Sequence, residues 1–589
     1  MKRALASPRV LWIAAIAALL WLAPATLTQR YQADDYYHRI YLARDASFAP
    51  FLEPAHRLFT FYDGDPARTA WARSLGIVPW WTDPGLRSSF LRPVSAAAHG
   101  LDFRLWPGSP ALAHLHSLLW YGVVLLLAGL AYRRFLGGRA AWVAGLATVL
   151  YAFDHTHGVD AAWIANRNAM VAAAFGLAAL YAHDRWRREG ARAAGVLAPL
   201  ALGLALFAGE AGLGALAYLV AYEATQGGAR RLRALVPTLL VTAAWAVIYV
   251  GGHHGATGSG MYVDPLSDPL GFARAAATHA PLLLASELGG PTPDIYMFLA
   301  PTWQLALLAL ALGVLAFAAP ALVRLARGDA TTRFFLLGAL LAVLPTCATT
   351  PSARVMLLPG FGLIGVLARL GADVLERVDW VARLPRAARA GIVAYAVLAV
   401  GGHAVLSPLL LQVTARQMVM FDGVLRDLAR GVPDDVRGQR VVIVNAPDAF
   451  FAGYLLIERH GDGQPAPRAL LVLGVGRRAL ELERLDERTL RVRAPDGFYR
   501  DGADVLTTRG DRAMPVGTRV AIGDDVTIEV MRTAPDGVPV EADFRFAAPL
   551  PDARLRFVRW QGATYVPFEL PAAGARVAIP AQPLPMPHL

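Results

Sequence analysis

Long apolar runs fill the first two-thirds of the chain, and short arginine-bearing segments interrupt them. Runs able to cross a hydrocarbon layer as helices fall near 10–28, 112–132, 139–153, 160–182, 194–209, 211–226, 235–251, 301–323, 334–350, 355–370 and 390–411. The pattern predicts a polytopic α-helical membrane protein with about eleven transmembrane helices. From about residue 433 the periodicity changes. "RVVIVNAPDAFFAGYLLIERHG" reads as a strand, a turn and a helix. "RTLRVRAP", "DVTIEVMRTAPDG" and "ADFRFAAP" then alternate apolar and polar positions, with Pro-Asp-Gly turns among them. The expected organisation is a transmembrane module over 1–411, a connecting helix over 412–432, and a domain over 433–589. That last domain should have a short α/β start, a mostly antiparallel β remainder, and a disordered tail, "PAQPLPMPHL".

The basic residues give the orientation. Lys2, Arg3 and Arg9 precede the first run; Arg133, Arg134 and Arg139 follow the second; Arg185, Arg187, Arg188 and Arg192 follow the fourth. Later clusters are Arg230, Arg231 and Arg233, then Arg324, Arg327 and Arg333, then Arg377, Arg383, Arg386 and Arg389. All fall on one side if the N-terminus is cytoplasmic, as the positive-inside rule requires. The alanine-, glycine- and arginine-rich composition points to a bacterium, so the expected location is the inner membrane. Loops 29–111, 154–159, the turn at Gly209-Glu210, 252–300, 351–354 and everything after 411 would then be periplasmic. Ala23-Pro24-Ala25 offers a competing signal-peptidase pattern after a basic start. The two long outer loops are expected to carry amphipathic helices on the membrane surface, as in "LGFARAAATHAPLLLASEL".

Composition narrows the class. Of 589 residues, 56% are hydrophobic and only 17% charged, which excludes an ordinary soluble globular protein. The net charge of +11 raises nucleic acid as a partner, but the arginines recur between spans and form no single patch, so none is expected. The one cysteine, Cys347, excludes an intrachain disulfide and a multi-cysteine metal site, and reads as a small buried apolar residue.

The outward segments carry the candidate chemistry. Asp34 and Asp35 lie in "YQADDYYHRI", and Arg92 in "SSFLRPVSAAAHGLDFRLW". Asp154, His155, His157, Asp160 and Arg167 lie in "FDHTHGVDAAWIANRN", Glu210 in "LFAGEAGLGA", and Arg354 in "TTPSARVMLLPG". Ionisable groups at one membrane depth mark a substrate path. Asp34, His157, Glu210 and Arg354 are therefore expected to converge on one outward-opening cavity. Each also has a plainer use. The carboxylate pair suits a helix N-terminus, and Arg354, Arg92 and Arg167 suit anchors at span ends. Glu210 suits a structural partner for an arginine. His155 and His157 suit hydrogen bonding, or a divalent metal site with Asp34 or Asp154. His253 and His254 read as loop residues.

Over about residues 9 to 411 these blocks resemble the GT-C superfamily of membrane glycosyltransferases, in particular the protein O-mannosyltransferase-like bacterial proteins. The likeness is carried by the acidic pair Asp34-Asp35, by "FLRPVSAAAHGLDFRLWPGSPALAHLHSLLW", and by "DHTHGVDAAWIANR" with His157 and Arg167 at matching positions. "AGE" at Glu210 and "SARVMLLPG" at Arg354 complete it. Asp154 stands where the family has its first histidine, the acidic position shifts to Asp160, and Gly209 replaces a lysine. The resemblance implies inverting transfer of a hexosyl or pentosyl group from a polyprenyl-phosphate sugar to a periplasmic glycan, lipid or protein. No metal is required. It implies Asp34 as general base, with Asp35 raising its pKa or orienting a second group. Arg354, Arg92 and Arg167 would hold the donor phosphate, and His155, His157, Asp154, Asp160 and Glu210 would surround the cavity. The alternatives are a non-catalytic transporter or scaffold of the same architecture, or a ligase moving a whole lipid-linked glycan. Transporters usually show inverted repeats and midplane sites. No internal repeat is visible here, and the acidic groups lie at the outer edge.

Overall fold

The structure, a computed structural model, describes residues 1–138, 140–226, 231–500 and 502–584, without the side chains of 231, 232 and 450. Arg139, Arg230, the side chain of Arg231 and the end of the expected disordered tail lie outside the described residues. A helix stands at each expected apolar run: Val10–Thr26, Pro110–Leu136, Ala141–Ala152, Arg167–Glu189, Arg192–Ala208, Gly212–Thr225, Arg231–Gly251, Pro301–Gly328, Ala330–Thr346, Leu357–Leu375 and Arg386–Thr414. Among the described residues, 5 helices are long and apolar enough to cross a membrane: Pro110–Leu136, Arg233–Gly251, Pro301–Gly328, Leu357–Leu375 and Arg386–Arg430. Val10–Thr26, Ala141–Ala152, Arg192–Ala208 and Ala330–Thr346 are shorter apolar helices. The run expected from residue 160 starts as a helix only at Arg167. Residues before it form the short turns Gly158–Ala162 and Ile164–Asn166, separated by an extended Trp163.

Burial divides the helices. Leu357–Leu375 is buried around most of its circumference, as expected for a helix surrounded by others. Pro301–Gly328 and Arg386–Thr414 expose Trp303, Leu305, Leu310, Val397, Leu398 and Leu409. Apolar side chains turned outward along long helices suit a lipid environment.

Ion pairs gather the basic connections at one end of the bundle. Lys2 Nζ lies 2.8 Å from Glu376 Oε1, and Trp142 Nε1 donates to the same oxygen at 3.1 Å. Arg134 pairs with Asp184 and with Glu189 (2.6 Å), Arg188 with Asp184 (2.6 Å), and Arg187 with Glu223 (2.7 Å).

The opposite end carries a folded layer. Segment 29–111 contains the helices Asp34–Ala43, Pro66–Leu75 and Pro93–Leu105 and the strands Thr60–Asp63 and Arg87–Ser89. Those strands join Gly255–Thr257 in a three-stranded antiparallel sheet, which knits the two long loops together. After residue 433, Arg440–Ala446 runs parallel to both Ala469–Val475 and Leu555–Gln561 in a four-stranded sheet. Every position of Arg440–Ala446 is buried, as the apolar run 441–444 suggests for a strand covered on both faces, and Arg440 and Asn445 are buried with it. Helix Ala449–Gly461 connects the first two parallel strands, and a six-stranded antiparallel sheet makes up most of the rest.

Much of the 29–111 segment is buried against the C-terminal region. Its aromatic residues pack on the C-terminal sheets. Trp80 and Trp81 are 1% and 0% exposed. Trp80 lies 5.0 Å from the Phe498 ring and donates from Nε1 to Leu473 O at 3.4 Å, while Trp81 Nε1 donates to Asp504 O at 3.2 Å. The loop and the C-terminal region thus share one hydrophobic core. The change of pattern near 433 is a change of secondary structure within one outer layer.

Candidate active site

A cavity of about 190 Å³ lies where this outer layer meets the helices. Its polar lining includes Asp34, Arg92, Asn166, Asn168, Glu210 and Arg354, and its aromatic wall Phe59, Phe61, Phe90 and Trp163. Ala342, Pro345, Leu357, Leu358 and Pro359 form the apolar side.

Asp34 and Asp35 open helix Asp34–Ala43, entered through Ala33 at φ +46°. A non-glycine residue rarely takes that conformation, and the bend sends the two carboxylates in different directions. Asp34 lines the cavity, and its Oδ1 accepts a hydrogen bond from the Tyr454 hydroxyl. Burial raises its pKa above the usual carboxylate value, while the Tyr454 hydroxyl, Arg354 and Arg92 pull it back. Asp35 turns away. Its Oδ2 accepts from Gln32 N at 2.9 Å and its Oδ1 from Ala165 N at 2.7 Å, which ties the helix start to the segment carrying Trp163 and Asn166. Burial pushes the Asp35 carboxyl up to about 8, opposed by those two backbone donors.

The two cavity arginines differ. Arg92 donates from Nε to Glu210 Oε2 at 2.7 Å, with Nη2 at 2.6 Å, and its guanidinium lies 4.5 Å from the Phe90 ring. Its charge is therefore neutralised within the wall. Arg354, in the turn Ala353–Val355, lies 5.5 Å from the Trp163 ring and has no ion pair or hydrogen bond among the described residues. Its fork of donors is available to an anion.

The remaining expected residues lie behind this surface. Arg167 is 0% exposed and donates to Asp102 Oδ2 (2.5 Å), Ser117 Oγ (2.9 Å) and Ala113 O (2.7 Å). It is committed to the packing of Pro93–Leu105 and Pro110–Leu136, and it does not line the cavity expected to hold the donor phosphate. His157 also stands apart from the cavity. Its Nδ1 is 3.1 Å from the Tyr121 hydroxyl, and its ring is 4.5 Å from that of Tyr151. The His155–His157 turn packs inward on the helices, which is why His157 does not join Asp34, Glu210 and Arg354. His155 Nδ1 is 2.9 Å from Ser407 Oγ, and Asp154 Oδ1 accepts from Thr156 N at 3.0 Å. Asp160 accepts from Asn166 Nδ2 at 2.5 Å and so supports a lining residue from behind. Asp34 lies elsewhere, so the His155 and His157 metal set with Asp34 does not assemble. His254 meets Ser89 Oγ at 3.1 Å in the three-stranded sheet.

Sequence reasoning missed Tyr454, 420 positions from Asp34 on a helix of the C-terminal region. It also missed Trp163, Asn166 and Asn168, although the "WIAN" block containing the first two was in view.

No protein-family model matches the chain, and no curated protein is significantly similar to it. Among solved structures, ArnT from Cupriavidus metallidurans bound to undecaprenyl phosphate aligns at 14% identity and TM-score 0.36, over 79% of this chain and 90% of that one. The apo form of ArnT aligns at 16% identity and TM-score 0.34, over 73% of this chain and 84% of that one. The arabinofuranosyltransferase AftD from Mycobacteria aligns at 15% identity and TM-score 0.36, over 92% of this chain and 40% of that one. At such scores neither neighbour's chemistry transfers to this chain.

Proposed function

We propose that the chain is an inverting membrane glycosyltransferase of GT-C type. It moves a sugar from a polyprenyl-phosphate donor to a glycan, lipid or protein acceptor on the periplasmic face of a bacterial inner membrane. The observation that carries this is a carboxylate, Asp34, lining one cavity with an arginine, Arg354, that makes no ion pair among the described residues. Asp34 Oδ1 is held by Tyr454, which leaves Oδ2 to take the acceptor hydroxyl proton as the acceptor oxygen attacks the anomeric carbon. The bond from that carbon to the phosphate oxygen breaks, and its electron pair stays on the lipid phosphate. Arg354 faces the charge that develops there. Arg92, its charge balanced by Glu210, contributes shape to the wall. The apolar side from Ala342 to Pro359 suits the first isoprene units of the lipid.

Asp35 is then a positioning residue, and Arg167, Asp154, Asp160, His155 and His157 support the wall. The test uses the purified full chain, radiolabelled polyprenyl-phosphate sugars and a lipid extract of the native envelope. Label should pass to an acceptor in the extract with wild type and not with Asp34→Asn. Donor binding by wild type with no transfer from any labelled sugar would contradict the proposal and favour the non-catalytic alternative.

A further inference from the structure

Behind the cavity, three segments distant in sequence bring Asp154, Glu287 and His403 together. Asp154 precedes the turn His155–His157, Glu287 ends helix Pro269–Glu287, and His403 belongs to helix Arg386–Thr414. The carboxylates are 0% exposed and the imidazole 4%. One ligand atom from each falls within 4.8 Å of the others. His403 Nε2 is 3.9 Å from Asp154 Oδ2 and 3.7 Å from Glu287 Oε2, beyond hydrogen-bond length. Among the described residues these same three atoms lack a hydrogen-bond partner, although they face one another in the interior.

The outer atoms of the three groups have other neighbours. Asp154 Oδ1 lies 3.0 Å from Thr156 N and from Thr156 Oγ1, and Glu287 Oε1 lies 3.1 Å from that hydroxyl. His403 Nδ1 is 2.9 Å from Ala399 O. A carbonyl can only accept, so Nδ1 carries a proton and Nε2 is the ring nitrogen that faces the two carboxylates. Metal-binding histidines are oriented in the same way. The ion-pair partners of the two carboxylates are histidines: His155, 3.4 Å from Asp154 Oδ1, and His403 itself. Gly360 lets helix Leu357–Leu375 press against the site, since a Cβ there would fall 2.7 Å from Glu287 Oε1.

We propose that Asp154, Glu287 and His403 bind one divalent transition-metal cation of the Zn²⁺ class. Two carboxylate oxygens and one imidazole nitrogen form a donor set suited to such an ion, with a fourth position left for a further ligand. Ligands at about 2.0–2.2 Å in a tetrahedral site stand roughly 3.3–3.6 Å apart, slightly less than the separations here. The ion's charge offsets both carboxylates. Its place in the fold makes it a clamp: it fixes Pro269–Glu287 and Arg386–Thr414 against the segment that continues to Trp163 and Asn166 in the cavity wall.

The experiment strips the full chain, purified in detergent, with a chelator and titrates it with Zn²⁺ alone. Bound metal and the thermal unfolding midpoint are read together. One tightly held Zn²⁺ per chain is expected, with a raised midpoint. Glu287→Gln and His403→Ala should weaken binding by more than about 100-fold, above the range for losing a supporting contact, and Asp34→Asn should bind as wild type. An imidazolium bridging two carboxylates would give a wild type with neither stoichiometric Zn²⁺ nor a shifted midpoint, which overturns the proposal. Zn²⁺ retained at full affinity by both ligand variants overturns it too. Should either variant fail to fold, the wild-type titration decides.

Discussion

At the scale of single residues, neighbouring carboxylates have separated into different tasks. Asp34 meets a tyrosine hydroxyl in the cavity, and Asp35 meets two backbone N–H groups in the wall. Asp34→Asn keeps the shape but cannot accept a proton, so transfer should fall by about 10²–10⁴. Asp35→Asn turns an NH₂ toward one of two backbone donors. It should lower stability by about 1–3 kcal/mol, the cost of an unmade buried hydrogen bond, read as a lower unfolding midpoint with a smaller effect on chemistry. The pH profile gives a second check. Asp34 must be ionised to act, and burial raises its pKa, so the acid limb of transfer should lie above the ordinary carboxylate range. The Tyr454 hydrogen bond favours the ionised form. Tyr454→Phe should therefore move that limb to higher pH, and an unmoved limb would remove Tyr454 from the mechanism.

At the scale of elements, the 29–111 segment depends on the C-terminal sheets. Helix Pro66–Leu75 ends at Gly76, whose φ of +79° is the left-handed cap glycine favours. A Cβ there would fall 2.3 Å from Leu470 O, in the strand against which the loop docks. Gly76→Ala should loosen the docking, and Trp80→Ala should cost about 3–5 kcal/mol as a large buried aromatic is lost. Both should speed proteolysis of the outer layer and reduce transfer, because Tyr454 reaches Asp34 across this interface. Fast proteolysis with unchanged transfer would show that the outer layer does not support the site. This dependence was not legible in the sequence. Periodicity located the strand-turn-helix at Arg440–Gly461 and the apolar helices, but it carries no record of which surfaces meet. Trp80 and Trp81 look equally suited to a membrane interface and to a sheet.

At the scale of the whole molecule, one end gathers arginine-bearing connections and the other holds the cavity. The positive-inside rule would place the cavity end in the periplasm. A reporter active only in the periplasm should work when fused after residue 430, and one active only in the cytoplasm should not. The ionisable blocks in the sequence led to Asp34, Arg92, Glu210 and Arg354. They were less informative at Arg167 and His157, because a buried arginine with several acceptors and a histidine between tyrosines leave the same signature as site residues. Glu287 and His403 each stand alone in apolar stretches, and only the fold brings them to Asp154. The most direct test of the central claim measures polyprenyl-phosphate binding and sugar transfer separately in Asp34→Asn and Arg354→Ala. Asp34→Asn should bind the lipid phosphate as wild type and fail to transfer. Arg354→Ala should bind more weakly by about 1.5–3 kcal/mol, the worth of a charged hydrogen bond. Wild-type transfer by Asp34→Asn, or unaltered lipid-phosphate binding by Arg354→Ala, would contradict the roles assigned here.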